Sequence, residues 1–260
     1  MPTLDELSGA IGWAAIAFVL LALLFVPLER AFAARPQAFV RQSLQLDLLY
    51  CAFQYIVMSF VLISFNDRIG ASAGCILPVR WLAAVASLPW PLQVALGVML
   101  GDIVLYWGHR ACHSVPVLWR IHAVHHSAER LDWVAAHREH PLDGLFSQLC
   151  LTLPAAMLGI PVAVVGPIFM MRGLFATFVH SNVRMPLGPI GVLFGDPSLH
   201  RWHHARVDKC RHNFANIAPY LDVFFGTHFR PADENYALGL HSPPPESFFG
   251  QLASPFRKLP

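Results

Sequence analysis

Fourteen histidines, all of them after residue 108, stand out in this chain of 260 residues, and twelve fall between His109 and His212. Imidazole is the commonest protein metal ligand and is mostly neutral near pH 7. His109 and His113 are four apart; on a helix that leaves two side chains about 40° apart and one turn along, so both can address one volume. His122, His125 and His126 follow at i, i+3 and i+4, and His200, His203 and His204 repeat that spacing. Each triple is expected to put three imidazoles on one face. Neutral imidazole suits zinc, copper, iron and nickel. A structural zinc takes four ligands and a catalytic one three plus water, so the eight imidazoles of these clusters point to two metals.

His180 is a ninth candidate, at the point where a long apolar stretch ends. His137 and His140 are three apart, beside Pro141, and either could bind metal or brace a ligand; His212, His228 and His241 lack partners at helical spacing. Metal-bound imidazoles usually donate their outer N–H to a carboxylate or carbonyl. Asp102, Asp143 and Asp222 are the main candidates for that role, with Glu139, Asp196 and Asp208 behind them. Asp102 lies two turns before His109, too far to bond it but able to reach an imidazole on a neighbouring helix. An acid inside an apolar run is costly and points to function.

The elements that must position these groups are apolar. Hydrophobic residues make up 55% of the chain and charged ones 13%, with a mean hydropathy of +0.49, whereas soluble domains carry ~25% charged residues. This excludes a disordered chain, a disulfide-stapled miniprotein and a collagen-like fibre, and it favours a membrane. A net charge of +2 offers no basic stripe for nucleic acid. Five widely spaced cysteines without a C-x-x-C pair favour neither a disulfide framework nor a thiolate zinc site.

Three runs, Gly12 to Val26, Leu44 to Phe65 and Pro91 to Trp107, can each cross ~30 Å of hydrocarbon. The first reads as a span rather than a signal peptide, although Ala31, Phe32 and Ala33 resemble a cleavage site, because Met1 to Ala10 holds no Lys or Arg. Leu145 to His180, broken by Pro154, Pro161 and Pro167, is expected to form a helical hairpin with the prolines at or near the bend. Leu82 to Leu88 is too short to cross and is placed at the interface.

The expected fold is therefore an all-α integral membrane protein with about five transmembrane passes, the last pair either full spans or re-entrant, under a cytoplasmic helical cap that carries the histidine clusters. Residues 1–108 form the N-terminal membrane helices, and 109–260 the histidine-rich catalytic part with the hairpin at 145–180. Arg30, Arg35 and Arg41, against an N-terminal tail without basic residues, put the N-terminus outside and the histidine segments inside.

The order H-x-x-x-H, H-x-x-H-H, H-x-x-H-P, a single histidine after the hairpin and H-x-x-H-H resembles the fatty acid hydroxylase and sterol desaturase superfamily of membrane di-iron oxygenases. The resemblance covers about Gly101 to Pro231 and includes Asp102, Tyr106, Trp107, His109 and Arg110 as an entry helix. Leu221, Asp222, Phe225, Gly226 and Thr227 are similar to the family's W-D-x-x-F-G-T, with Leu221 in place of Trp; Asn213, Phe214 and Ala215 stand where N-Y-G is common.

The resemblance implies as metal ligands His109, His113, His122, His125, His126, His180, His200, His203 and His204, with His140 a tenth. It further implies two irons and O2 as co-substrate. The electrons would come from NAD(P)H through a separate ferredoxin-like or cytochrome b5-like carrier with its reductase. The reaction would be hydroxylation or desaturation of an unactivated C–H bond of a membrane lipid, in the bacterial inner membrane or, in a eukaryote, the endoplasmic reticulum. Trp133, Trp202 and the stretch Phe169 to Phe178 could line the lipid slot. The rival readings are a zinc-dependent membrane hydrolase, for which H-E-x-x-H is missing, and a non-enzymatic metal-binding membrane protein.

Overall fold

The computed structural model describes residues 4–185, 187–207 and 210–257. Among these residues there are helices, turns and two isolated β-bridges, and no strand. The chain runs through α1 (Leu4–Ala31), α2 (Leu44–Phe53), a π-helical turn (Gln54–Met58), α3 (Ser59–Ile76), α4 (Val79–Ala86), α5 (Trp90–Ser114), α6 (Pro116–His122), α7 (Pro141–Leu158) and α8 (Val162–His180). The short α9 (Pro189–Phe194), α10 (Pro197–His203), α11 (Tyr220–Phe224) and α12 (Phe248–Ala253) follow.

Four helical stretches are long and apolar enough to cross a membrane: Ser8–Ala31, Leu44–Ile76, Trp90–Ser114 and Val162–His180. Large apolar side chains such as Trp13, Leu23, Ile63 and Met99 are exposed on them, as the lipid-facing side of a span requires. The chain is thus an all-α, multi-pass membrane protein. The hairpin is present as α7 and α8, but its bend is at Gly159–Pro161. Gly159 ends α7 with φ +81, and Pro161 caps α8 in an extended conformation. Pro154 and Pro167 lie inside the two helices rather than at the bend; in packed membrane helices, neighbouring groups and local adjustments re-satisfy the backbone that a proline frees.

At the centre stands α5, and three of its glycines let it approach the hairpin closely. A Cβ at Gly101 would lie 2.7 Å from the Leu151 carbonyl oxygen, one at Gly108 2.7 Å from Cys150 Sγ, and one at Gly97 2.8 Å from a Val165 methyl. The helix continues from the apolar run through His113 without a break, so its first histidine motif is rigidly fixed to the span.

Buried ion pairs tie the cap to the spans. Asp47 in α2 holds both Arg41 and Arg138, and Arg41 also grips Asp132 through two nitrogens at 2.6 and 2.8 Å. Arg201 in α10 is 1% exposed; it pairs with Glu234 and donates to the carbonyls of Ser181 and Val183. Burial is costly for an unpaired cation, but Arg offers five donors in a planar fork, and here several acceptors meet them.

Candidate metal centre

Nine of the ten histidines implied as ligands converge in two adjoining clusters. His109, His113, His122, His126 and His203 form one and His125, His180, His200 and His204 the other, with the ligand atoms of each cluster within 4.8 Å of one another. The rings of His126 and His204 stack at 4.3 Å across the boundary. Neither H-x-x-H-H motif stays on one face as the spacing suggested. His122 and His126 turn to the first cluster and His125 to the second, while His200 and His204 turn to the second and His203 to the first. The cause is angular: i+3 and i+4 lie about 60° and 40° to opposite sides of residue i. In addition, α6 ends at His122 and tightens into a 3-10 turn over His125–Ser127. Each motif therefore spans both clusters.

Proton placement supports a cation in each cluster. Outer Nδ1–H groups donate from His109 to Phe214 O (2.7 Å), from His125 to Arg138 O (3.0 Å), from His180 to Ala176 O (2.6 Å) and from His203 to His212 O (2.8 Å). His122 donates to Asp143 Oδ2 at 2.7 Å. With the proton outside, each Nε2 turns a lone pair inward. Yet Nε2 of His109 lies 3.0 Å from both His122 Nε2 and His203 Nε2, and Nε2 of His125 lies 3.1 Å from His180 Nε2. Lone pairs at this distance repel unless a cation is between them. The facing Nε2 atoms lie 2.8–3.1 Å apart, close enough for one ion to be shared among them.

Burial, the largest cause, and neighbouring imidazoles keep the rings neutral and ready to bind metal. His125 is lowered to about 4, and His126, His200, His203 and His204 are held well below the usual histidine range. Glu139, buried beside Asp143, is pushed up to about 8.

The other sequence candidates have other places. His140 lies outside both clusters: its Nδ1 accepts from Leu142 N to cap α7, and its Nε2 meets Leu252 O at 3.1 Å, so both nitrogens are engaged. His137 is also outside them, edge-on to the Tyr55 ring. Asp102 meets no imidazole and pairs instead with Arg172 of α8. Asp222 accepts from Phe214 N, Ala215 N and the Thr227 hydroxyl, which shapes the loop whose Phe214 carbonyl receives His109. Asp196 caps α10 and holds Arg230. Asp208 lies outside the described residues. Trp133 packs on Phe18 and Phe25, and Trp202 on Phe229 and Tyr236, away from any slot.

Sequence reasoning missed the backbone carbonyls that hold four of the imidazoles, because a carbonyl carries no residue signature. It also missed Arg138, whose carbonyl receives His125 while its guanidinium is anchored on Asp47. The one legible signal was Asp47 itself, an acid inside an apolar run.

A cavity of about 670 Å³ opens beneath the clusters. His109, His122, His125, His180 and His200 line it, and it reaches Leu20, Leu62, Phe169 and Met170 on the membrane helices.

A model described as fatty acid hydroxylase matches residues 94–227. The chain is 35% identical over 177 residues to the ornithine lipid hydroxylase OlsE of Rhizobium tropici, covering 65% of this chain and 52% of that one. It is 35% identical over 163 residues to the alkylglycerol monooxygenase of Danio rerio, covering 60% of this chain and 35% of that one. A very-long-chain aldehyde decarbonylase of Oryza sativa is 28% identical over 156 residues, covering 57% and 59%. The matched region is thus about half the length of the first relative and about a third of the second. No solved structure matches.

Proposed function

The chain belongs to the fatty acid hydroxylase family, and from that membership and its paired imidazole clusters we propose that it is an O2-dependent, di-iron enzyme that oxidises a C–H bond of a membrane lipid. One observation carries the proposal: nine imidazoles meet in two clusters at the head of a cavity whose other wall is built from membrane helices. Two of the relatives support the same direction by name, an ornithine lipid hydroxylase and an alkylglycerol monooxygenase. An all-imidazole donor set accommodates iron, and family membership is what favours it over zinc.

When bound, two irons would supply dioxygen activation, so that a C–H bond, O2, two electrons and two protons give an alcohol and water. Everything else falls to the chain. His109, His113, His122, His126 and His203 would hold one ion and His125, His180, His200 and His204 the other. Asp143 and the carbonyls of Phe214, Arg138, Ala176 and His212 fix the tautomers. The apolar wall of the cavity receives the lipid chain, keeps water out and presents one carbon to the ions. The electrons come from a separate carrier, and the clusters lie on the cytoplasmic side.

Metal analysis of protein purified in detergent tests this, with His203→Ala/His204→Ala as control. About two irons per chain, lost in the control, together with a lipid that gains one oxygen or loses two hydrogens in cells making the protein, is expected. One zinc per chain, or metal unchanged in the control, would overturn it.

A further inference from the structure

Most of the cavity wall is apolar, and among its polar side chains four stand together in a strip without partners. Gln54 and Tyr55 come from the π-helical turn, His137 from the 3-10 turn over Ala135–His137, and Glu139 from the segment just after it; all four line the cavity. The structure gives none of these four side chains a hydrogen-bond partner, and His137 Nε2 is fully enclosed without one. Buried polar groups are almost always paired, so an unpaired group at a cavity wall calls for a ligand. The backbone supports the same reading. Gln54 stands in a span, where a polar side chain is costly, and the π turn that carries it interrupts an otherwise regular helix, a feature that recurs at functional sites.

The strip also has a chemical signature. Among the lining residues the one arginine, Arg172, is paired with Asp102, and no lysine is present. A free carboxylate or phosphate would find no unpaired guanidinium or ammonium there. An amide side chain, a phenol, an imidazole and a carboxyl together both donate to and accept from a neutral polar group.

We propose that Gln54, Tyr55, His137 and Glu139 form a recognition strip for a neutral hydrogen-bonding group, an amide or a hydroxyl, carried by the lipid substrate. This deepens the oxygenase reading and rests on it for the word substrate. The strip fixes how far along the chain the oxidised carbon lies, because the polar group is seated on one wall while the imidazoles occupy the head of the cavity.

The test reads binding without turnover. Metal-loaded protein in detergent, kept free of O2, is titrated with an N-acylethanolamine, the free fatty acid and its methyl ester, all of one chain length, with Kd read by native mass spectrometry. The expected result is an amide lipid bound about tenfold more tightly than the acid or ester. That preference should disappear in Gln54→Leu/His137→Phe, with ester affinity and metal content retained. Equal affinities in the unaltered protein would overturn the proposal whatever the variant does, and so would a preference that survives the double substitution. If the double variant does not hold metal, Gln54→Leu alone is used and should weaken amide binding but not ester binding. The oxygenase reading fails separately: an amide lipid bound tightly but never oxidised when O2 and electrons are supplied would sink that reading and leave the strip standing.

Discussion

The two histidine clusters share motifs but differ in what stands behind them. The first has five imidazoles, and one of them, His122, leans on the Asp143 carboxylate. The second has four; His125 and His180 lean on carbonyls, and the Nδ1 atoms of His200 and His204 are buried without a partner. Three of the four rings of the second cluster line the cavity, against two of the five in the first. The first cluster is not fully braced either, since both ring nitrogens of His113 are buried without a partner. A carboxylate behind an imidazole raises its basicity, so in the proposed enzyme the first cluster would be the stronger donor and the second would keep more room beside the substrate. In the proposed enzyme the pair is a division of labour, one position gripping its ion and the other meeting the substrate.

Removing ligands should break the comparison most severely. His122→Ala is expected to lose iron from the first position and His180→Ala from the second, each taking the content from two towards one per chain and abolishing product formation. Elemental analysis beside a product assay checks both, and retention of two irons in either variant would contradict the assignment. A smaller effect follows from Asp143→Asn, which keeps an acceptor for His122 but removes its charge. Chelator competition should then show affinity at the first position falling about 10-fold, the low end for such partners, with the second position unchanged. Smaller still is Gly101→Ala. Its Cβ would press on the Leu151 carbonyl, and overpacking of this kind costs about 1–3 kcal/mol. Thermal unfolding should register that loss, and the first cluster, which draws His109 and His113 from α5, should release metal more readily than the second. Equal release from both would mean that α5 does not govern the difference.

Much of this was legible in the sequence, for reasons of physics rather than pattern alone. The spans declared themselves through long runs without charge, and the imidazoles through spacings that only a helix makes useful. The division of each H-x-x-H-H motif between two clusters follows partly from the angular spread of i+3 and i+4, which the spacing contains, and partly from where α6 and α10 stop, which it does not. His140 showed the opposite failure. Its spacing from His137 and its place before Pro141 resembled a ligand motif, yet a histidine preceding a proline at the first helical position is also well placed to cap that helix. Asp102 was rightly marked as costly in a span, but its partner is Arg172, seventy residues away in α8, a pairing no local spacing reveals.

The cap is held by buried ion pairs and short helices, without covalent links. Its helices α6, α9, α10 and α11 are five to seven residues long, too short to persist alone, and all five cysteines are free. The inward-facing nitrogens come from four separate stretches of chain between His109 and His204. In the proposed enzyme an ion bound among them would be a cross-link as well as a reagent, closing loops that a secreted domain would staple with disulfides. Acquiring metal would then help to finish the fold, and iron scarcity would act on the lifetime of the protein as well as on its rate of catalysis.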